Sequence, residues 1–150
     1  MSNPQIEIAH KIITQTRHSL FLTGKAGTGK TTFLHNLRRE NKKRMVVLAP
    51  TGIAAINAGG STLHSFFQLP FSPYIPRANY SKESFKLNKQ KIRIIRGLDL
   101  IVIDEISMVR ADLLDSVDNI LRRVRRSALP FGGVQLLMIG DLSQLSPVAK

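Results

Sequence analysis

Ser19-Leu20-Phe21-Leu22-Thr23-Gly24-Lys25-Ala26-Gly27-Thr28-Gly29-Lys30-Thr31-Thr32 is the stretch on which the reading of the whole chain turns. Its first five residues form a short apolar run of the kind that becomes a strand. The next eight, Gly24 to Thr31, fit G-x-x-x-x-G-K-[ST] at every fixed position. Apolar residues at Phe33, Leu34 and Leu37 then follow at helical spacing. Strand, glycine loop and helix in that order form the context in which backbone N–H groups turn inward around phosphates. Side chains in the loop would block that approach, which is why glycines are needed. Gly24, Ala26, Gly27, Thr28 and Gly29 are the candidate cradle, with Thr32 beside it. Lys30 is placed to set its ammonium on the β and γ phosphates, and the Thr31 hydroxyl to ligate Mg²⁺. Glycine-rich strand-to-helix turns also occur for packing alone; Lys30 and Thr31 directly after the last glycine favour phosphate. The motif by itself does not separate kinases, GTPases and motors.

Outward from this loop, three more apolar runs recur: Met45 to Ala49, Leu98 to Ile103 and Val134 to Gly140. They are nearly continuous rather than alternating, as in strands covered on both faces. Helical pattern separates them. The clearest is the stripe Leu113, Leu114, Val117, Ile120, Leu121 and Val124, with Asp112 and Asp115 at its start and Arg122, Arg123, Arg125 and Arg126 at its end, which suits the helix dipole. A further helix is expected near residues 5–16. Alternating strands and helices predict an α/β fold, a mostly parallel sheet with helices on both faces. The span from Gln68 to Glu83 holds three prolines and reads as a loop or insertion.

The run ending at Ile103 delivers Asp104 and Glu105 at a strand's carboxyl end, where open α/β sheets place their ligands. Asp104 suits Mg²⁺, and Glu105 suits a general base that polarises water toward a γ phosphate, a role typically contributing about 10²- to 10⁴-fold. The pair favours hydrolysis over phosphoryl transfer to a small acceptor. Carboxylates can also simply cap a following helix, but here they accompany the phosphate loop. At the end of the last run, Gly140-Asp141-Leu142-Ser143-Gln144-Leu145 offers Gln144 as a γ-phosphate sensor, although alone it reads as an ordinary turn.

Composition narrows the partners. The 150 residues suit one domain. Lys and Arg number 22 against 10 Asp and Glu, leaving a formal charge of +12, which favours polyanions and nucleic acid first among them. Basic clusters lie at Lys42 to Arg44, Lys82 to Arg96 and Arg122 to Arg126, although each could be no more than a solvated face or a helix end. With no cysteine, disulfides, iron–sulfur clusters and thiolate zinc sites are excluded. No apolar run approaches the ~20 residues of a membrane helix, and nothing resembles a signal peptide; the expectation is a soluble, intracellular protein with no membrane partner, nucleoid-associated if bacterial.

The phosphate loop, APTGIAAINAGGSTLHSFF (residues 49–67), VIDEISM (102–108) and GDLSQLSPV (140–148), taken in order, resemble the DNA helicases of superfamily 1, group B, and most closely the Pif-type enzymes, with RecD-like relatives. The resemblance runs from Leu20 to Val148. It implies that residues 1–150 form the first RecA-like motor domain, ATP-driven and moving 5′ to 3′ on single-stranded DNA. Lys30 and Thr31 then serve phosphate and metal, Asp104 metal, Glu105 water activation, and Gln144 the coupling of nucleotide state to DNA. Thr51 and Gly52, with the stretch containing His64, Ser65 and Phe66, match the family's DNA-contacting motif Ia region. This is chemically sensible, because Thr51, His64 and Ser65 can donate to phosphate oxygens, and Gly52, Gly59 and Gly60 allow close backbone approach; the alternative is that Thr51 and Gly52 merely turn the chain. Gln5 is the candidate for an adenine-contacting glutamine upstream of the loop, with spacing slightly long. Ser146 stands where the family usually has proline.

The resemblance further implies a second RecA-like domain carrying an arginine finger, with later motifs that these 150 residues do not contain. The chain is therefore expected to be a piece of a longer, monomeric polypeptide that binds nucleotide but hydrolyses it slowly and does not unwind. Two alternatives are an AAA-type P-loop ATPase acting on proteins as a loader or chaperone, and a DNA-binding relic that has lost catalysis. The first gives no reason for the motif Ia segment, and intact Lys30, Thr31, Asp104 and Glu105 speak against the second.

Overall fold

A computed structural model describes residues 4–24, 29–69 and 87–141. Helix α1 (Pro4–Gln15) precedes strand β1 (Leu20–Thr23), and α2 (Lys30–Glu40) leads to β2 (Met45–Ala49). Three short elements follow: α3 (Gly52–Ala58), β3 (Ser61–Thr62) and α4 (Leu63–Phe67). Then come α5 (Lys89–Gly97), β4 (Leu100–Ile103), a 3₁₀ turn (Ile106–Met108), α6 (Ala111–Val124), a second 3₁₀ turn (Pro130–Gly133) and β5 (Gln135–Gly140).

The strands form one sheet in the order β1-β5-β4-β2-β3, with every pairing parallel. Central β4 shows why its sequence has no polar alternation. Leu100, Ile101, Val102 and Ile103 are all fully buried, because helices cover both faces. The two-residue period of the strand divides them between two cores. Leu100 and Val102 pack with Ala9 and Ile13 of α1 and Phe33, Leu34 and Leu37 of α2. Ile101 and Ile103 face Leu63, Phe66, Phe67, Ile95, Val117, Ile120 and Leu121, from α4, α5 and α6. Each such side chain stabilises by about 1.5–3 kcal/mol relative to exposure. The α/β fold with helices on both faces is thus as the sequence predicts.

The small elements are what the sequence reading lacked. Thr51 caps α3 by accepting from Ala54 N at 3.2 Å, and Thr62 caps α4 by accepting from Ser65 N at 3.0 Å. Helices of seven and five residues are too short to show a stripe. Gly59 ends α3 in the left-handed region (φ 70°), and Gly60 passes so close to β2 that a Cβ there would stand 2.0 Å from the Val47 carbonyl oxygen. Both glycines thus have a role in the fold itself. Most of the proline-rich stretch 68–83 lies outside the described residues. Among the described residues no helix is long and apolar enough to cross a membrane.

Several members of two basic clusters are engaged within the fold. Lys43 Nζ donates to the carbonyls of Ile13 and Thr16 and to Gln135 Oε1, and Arg44 pairs with Asp99. Arg125 donates to four carbonyl oxygens, those of Ile95, Arg96, Leu98 and Gly132. Arg122 is held by Asp118 at 2.8 Å.

Candidate functional site

Strand order brings the carboxyl ends of β1, β5 and β4 side by side, with Thr23 opposite Gly140 and Ile103 opposite Met138. A cleft of about 660 Å³ opens there. Gly29, Lys30, Thr31 and Thr32 line one wall, Asp104 and Glu105 another, and Gly140 and Asp141 the floor. Residues separated by more than seventy positions in sequence thus meet at one place, which a parallel sheet achieves by ending all its strands at the same edge.

Each side chain has a local reason for its position. Gly29 adopts φ 91°, ψ 10°, a left-handed conformation that starts α2 without a side-chain cap, so the first turn of the helix at the cleft has no side chain satisfying its N–H groups. Lys30 folds back so that Nζ donates to the Gly24 carbonyl. An incoming phosphate would exchange that neutral acceptor for a charged one. Asp104 continues the sheet ladder, its N–H donating to Leu48 O at 2.8 Å, and its Oδ1 accepts from Glu105 N at 2.9 Å. Glu105 itself sits at φ 54°, ψ 45°. A non-glycine residue in that region is strained by of order 1–3 kcal/mol, and such strain is found where a side chain must be aimed.

Thr31 and Asp104 share the cleft. Among the described residues no three His, Asp or Glu side chains gather into a cage. That donor set fits Mg²⁺, which keeps its waters and takes one or two protein oxygens alongside substrate phosphates.

Of the sequence-predicted residues, Gly24, Gly29, Lys30, Thr31, Thr32, Asp104 and Glu105 are brought together around the cleft. Ala26, Gly27, Thr28 and Gln144 lie outside the described residues, as does Ser146. Gln5 is exposed in the first turn of α1. Its neighbour Ile6 reaches the loop, its Cδ1 lying 3.4 Å from where a Cβ on Gly29 would be. The sequence reading missed His35, Arg38, Asn57 and Asp141, which also line the cleft. His35 and Arg38 stand four and seven positions beyond Thr31, so a helical wheel drawn from Thr31 finds them; Asn57 lies on a helix too short to predict.

Thr51 and Gly52 are exposed at the end of β2, and the β2–β3 pairing, Ala49 opposite Thr62, brings His64 and Ser65 to the same edge. Phe66 requires a correction. It is 7 % exposed, packed edge-to-face on Phe67 at 4.9 Å and covered by Lys91 Nζ at 4.2 Å from the ring centre. It is a core residue with no ring face open to a base.

Parallel sheet, phosphate loop and acidic strand end define the class: a RecA-like P-loop nucleotide-binding domain. The family model for PIF1-like helicases matches residues 1–150, and the chain belongs to that family. It is 40% identical over 154 residues to the ATP-dependent DNA helicase PIF1 of Candida albicans, covering all of this chain and 17% of that protein. It superposes with TM-score 0.91 and 47% identity on Bacteroides sp. Pif1 in complex with ADP-AlF4, and with TM-score 0.89 and 47% identity on Bacteroides Pif1 bound to ssDNA. Each match covers the whole chain and 34% of the Bacteroides chain. The chain therefore spans about a sixth to a third of these relatives' length. Membership displaces the AAA-type alternative.

Proposed function

We propose that residues 1–150 are the first RecA-like domain of an ATP-driven, 5′-to-3′ DNA helicase and carry its nucleotide site and part of its single-stranded DNA track. The observation that carries this is the meeting of Lys30 and Thr31 with Asp104 and Glu105 in one cleft, on a chain of the PIF1-like family. Lys30 and the loop amides hold the phosphates, and Thr31 and Asp104 hold the Mg²⁺ that would neutralise their charge. Glu105 takes the proton of the attacking water. Gln144 reads the γ phosphate, and Gln5, beside the loop through Ile6, contacts the adenine. Thr51, Gly52, His64 and Ser65 hold DNA phosphates at the opposite end of the same sheet edge. ADP-AlF4 and ssDNA bound to Bacteroides Pif1 support both halves of the reading. A second RecA-like domain of the full-length protein supplies an arginine finger worth about 10³–10⁵ in rate. The 150 residues alone therefore turn over slowly and do not unwind.

Titration with a fluorescent ADP analogue and Mg²⁺ tests the first half. Lys30→Ala is expected to abolish binding, whereas in the full-length protein Glu105→Gln keeps binding and loses hydrolysis by about 10²-fold or more. Undiminished binding by Lys30→Ala would refute the site. For the second half, log affinity for an oligo-dT should fall with log salt at about −0.7 per phosphate neutralised; a flat response removes the DNA assignment.

A further inference from the structure

Helix α2 does more than begin at the phosphate loop. Phe33, Leu34 and Leu37 bury one side of it in the core, which holds the helix as a rigid body against the sheet. Its opposite side carries Thr31, His35 and Arg38 at i, i+4 and i+7, one stripe running away from the loop, and all three line the nucleotide cleft. At the end of that stripe Arg38 Nη2 donates to the carbonyl oxygen of Ala58 at 2.5 Å. Ala58 is the last residue of α3, so its carbonyl lacks a partner within its own helix, and a guanidinium there complements the negative end of the helix.

The surroundings are shaped for this contact. A Cβ on Gly59 would stand 3.1 Å from Arg38 Nη1, so any side chain at Gly59 would press on the guanidinium. Arg38 and Gly59 also form the wall shared by the nucleotide cleft and a second cavity of about 460 Å³, which is lined further by Asn41, Lys43, Gly60 and Ser61. The other end of α3 is Thr51 with Gly52, only seven helical residues away, or about 10 Å.

We infer that Arg38 is a positioning residue linking the nucleotide site to the DNA-contacting segment: it transmits displacement of α2 at the phosphate loop to α3 and so to Thr51. The inference rests on the functional reading above. Because linkage is reciprocal, nucleotide must change DNA affinity by the same factor as DNA changes nucleotide affinity.

The test uses the 150-residue chain, a fluorescein-labelled oligo-dT and Mg²⁺ with ADP-AlF4. The oligonucleotide Kd is measured with and without the nucleotide for wild type, Arg38→Met and Arg38→Lys, each checked for folding by circular dichroism. Wild type is expected to show a ratio of about 5-fold or more between the two conditions, the lower bound of ordinary allosteric coupling. Arg38→Met brings the ratio to one, whatever it does to either affinity alone, and Arg38→Lys, which keeps a donor for the Ala58 carbonyl, restores part of it. A merely structural arginine would lower stability and leave the ratio unmoved. A wild-type ratio of one, or an unchanged ratio in Arg38→Met, overturns the inference with the sites intact. Failure of wild type to bind either ligand overturns the functional reading beneath it.

Discussion

Ile106 Cγ2 lies 2.7 Å from the point where a Cβ on Gly140 would stand, so the end of β5 and the turn after β4 pack with no room for a methyl group between them. Ile106 directly follows Glu105, whose left-handed backbone depends on that turn. Gly140 therefore holds the candidate base in place from the neighbouring strand.

Three glycine-to-alanine changes are predicted to rank by this geometry. Gly60→Ala meets the backbone oxygen of Val47 and should cost about 3 kcal/mol or more. Gly140→Ala, which meets a side-chain methyl, should cost about 1–3 kcal/mol. Gly52→Ala, with nothing within 4 Å, should fall within about 0.5 kcal/mol of wild type. Urea denaturation midpoints give the order, and Gly140→Ala more stable than Gly52→Ala would contradict it.

Lys43 joins the carboxyl end of α1 to β5: Gln135, which accepts from Lys43, donates in turn to His18 O at 2.8 Å. Lys43→Met should lose about 1–3 kcal/mol at neutral pH by leaving these oxygens without their donor. Burial lowers the Lys43 pKa below its ordinary 10.5, Arg17 lowers it further, and Asp99 opposes. The unfolded chain thus holds more protons than the folded one between the lowered value and 10.5, and stability contributed by this group rises with pH across that window. Paired denaturation curves should show the gap between wild type and Lys43→Met widening toward 10.5; a gap that narrows would reverse the sign.

Arg125 binds four carbonyl oxygens at 2.8–3.0 Å, tying the end of α6 to the end of α5 and to the turn before β5. Arg125→Met keeps the stem and removes the donors. A loss of about 2–3 kcal/mol is expected in thermal or chemical unfolding. Weakened oligo-dT binding at unchanged stability would return Arg125 to the DNA surface.

For Phe66, a core role and a DNA-contacting role make opposite forecasts. Phe66→Leu should lower stability by about 1–1.5 kcal/mol through repacking and the lost edge-to-face contact, with oligo-dT affinity retained. A fluorescence anisotropy titration that shows affinity lost in a stably folded Phe66→Leu protein would restore the ring to a binding role.

Read alone, the sequence determined the sheet and the chemistry at its edge. Runs such as Leu100 to Ile103 declare a strand buried on both faces because no residue in them tolerates water. The loop from Gly24 to Thr31 declares phosphate because its backbone geometry and its lysine leave few other uses. What the tertiary structure decided is which polar residues face solvent and which are consumed by the fold. Lys43 and Arg125 look like parts of a basic surface until their carbonyl partners, between seven and more than ninety positions away, are seen. Phe66 reads as part of a DNA-contacting stretch until α4 turns it inward, and Arg38 gains meaning only from a carbonyl on a helix too short to carry a periodic signal. Local pattern encodes burial and turn geometry, which depend on neighbours in sequence; hydrogen-bond partners across elements depend on where the chain returns, and that is set only when the sheet closes its order.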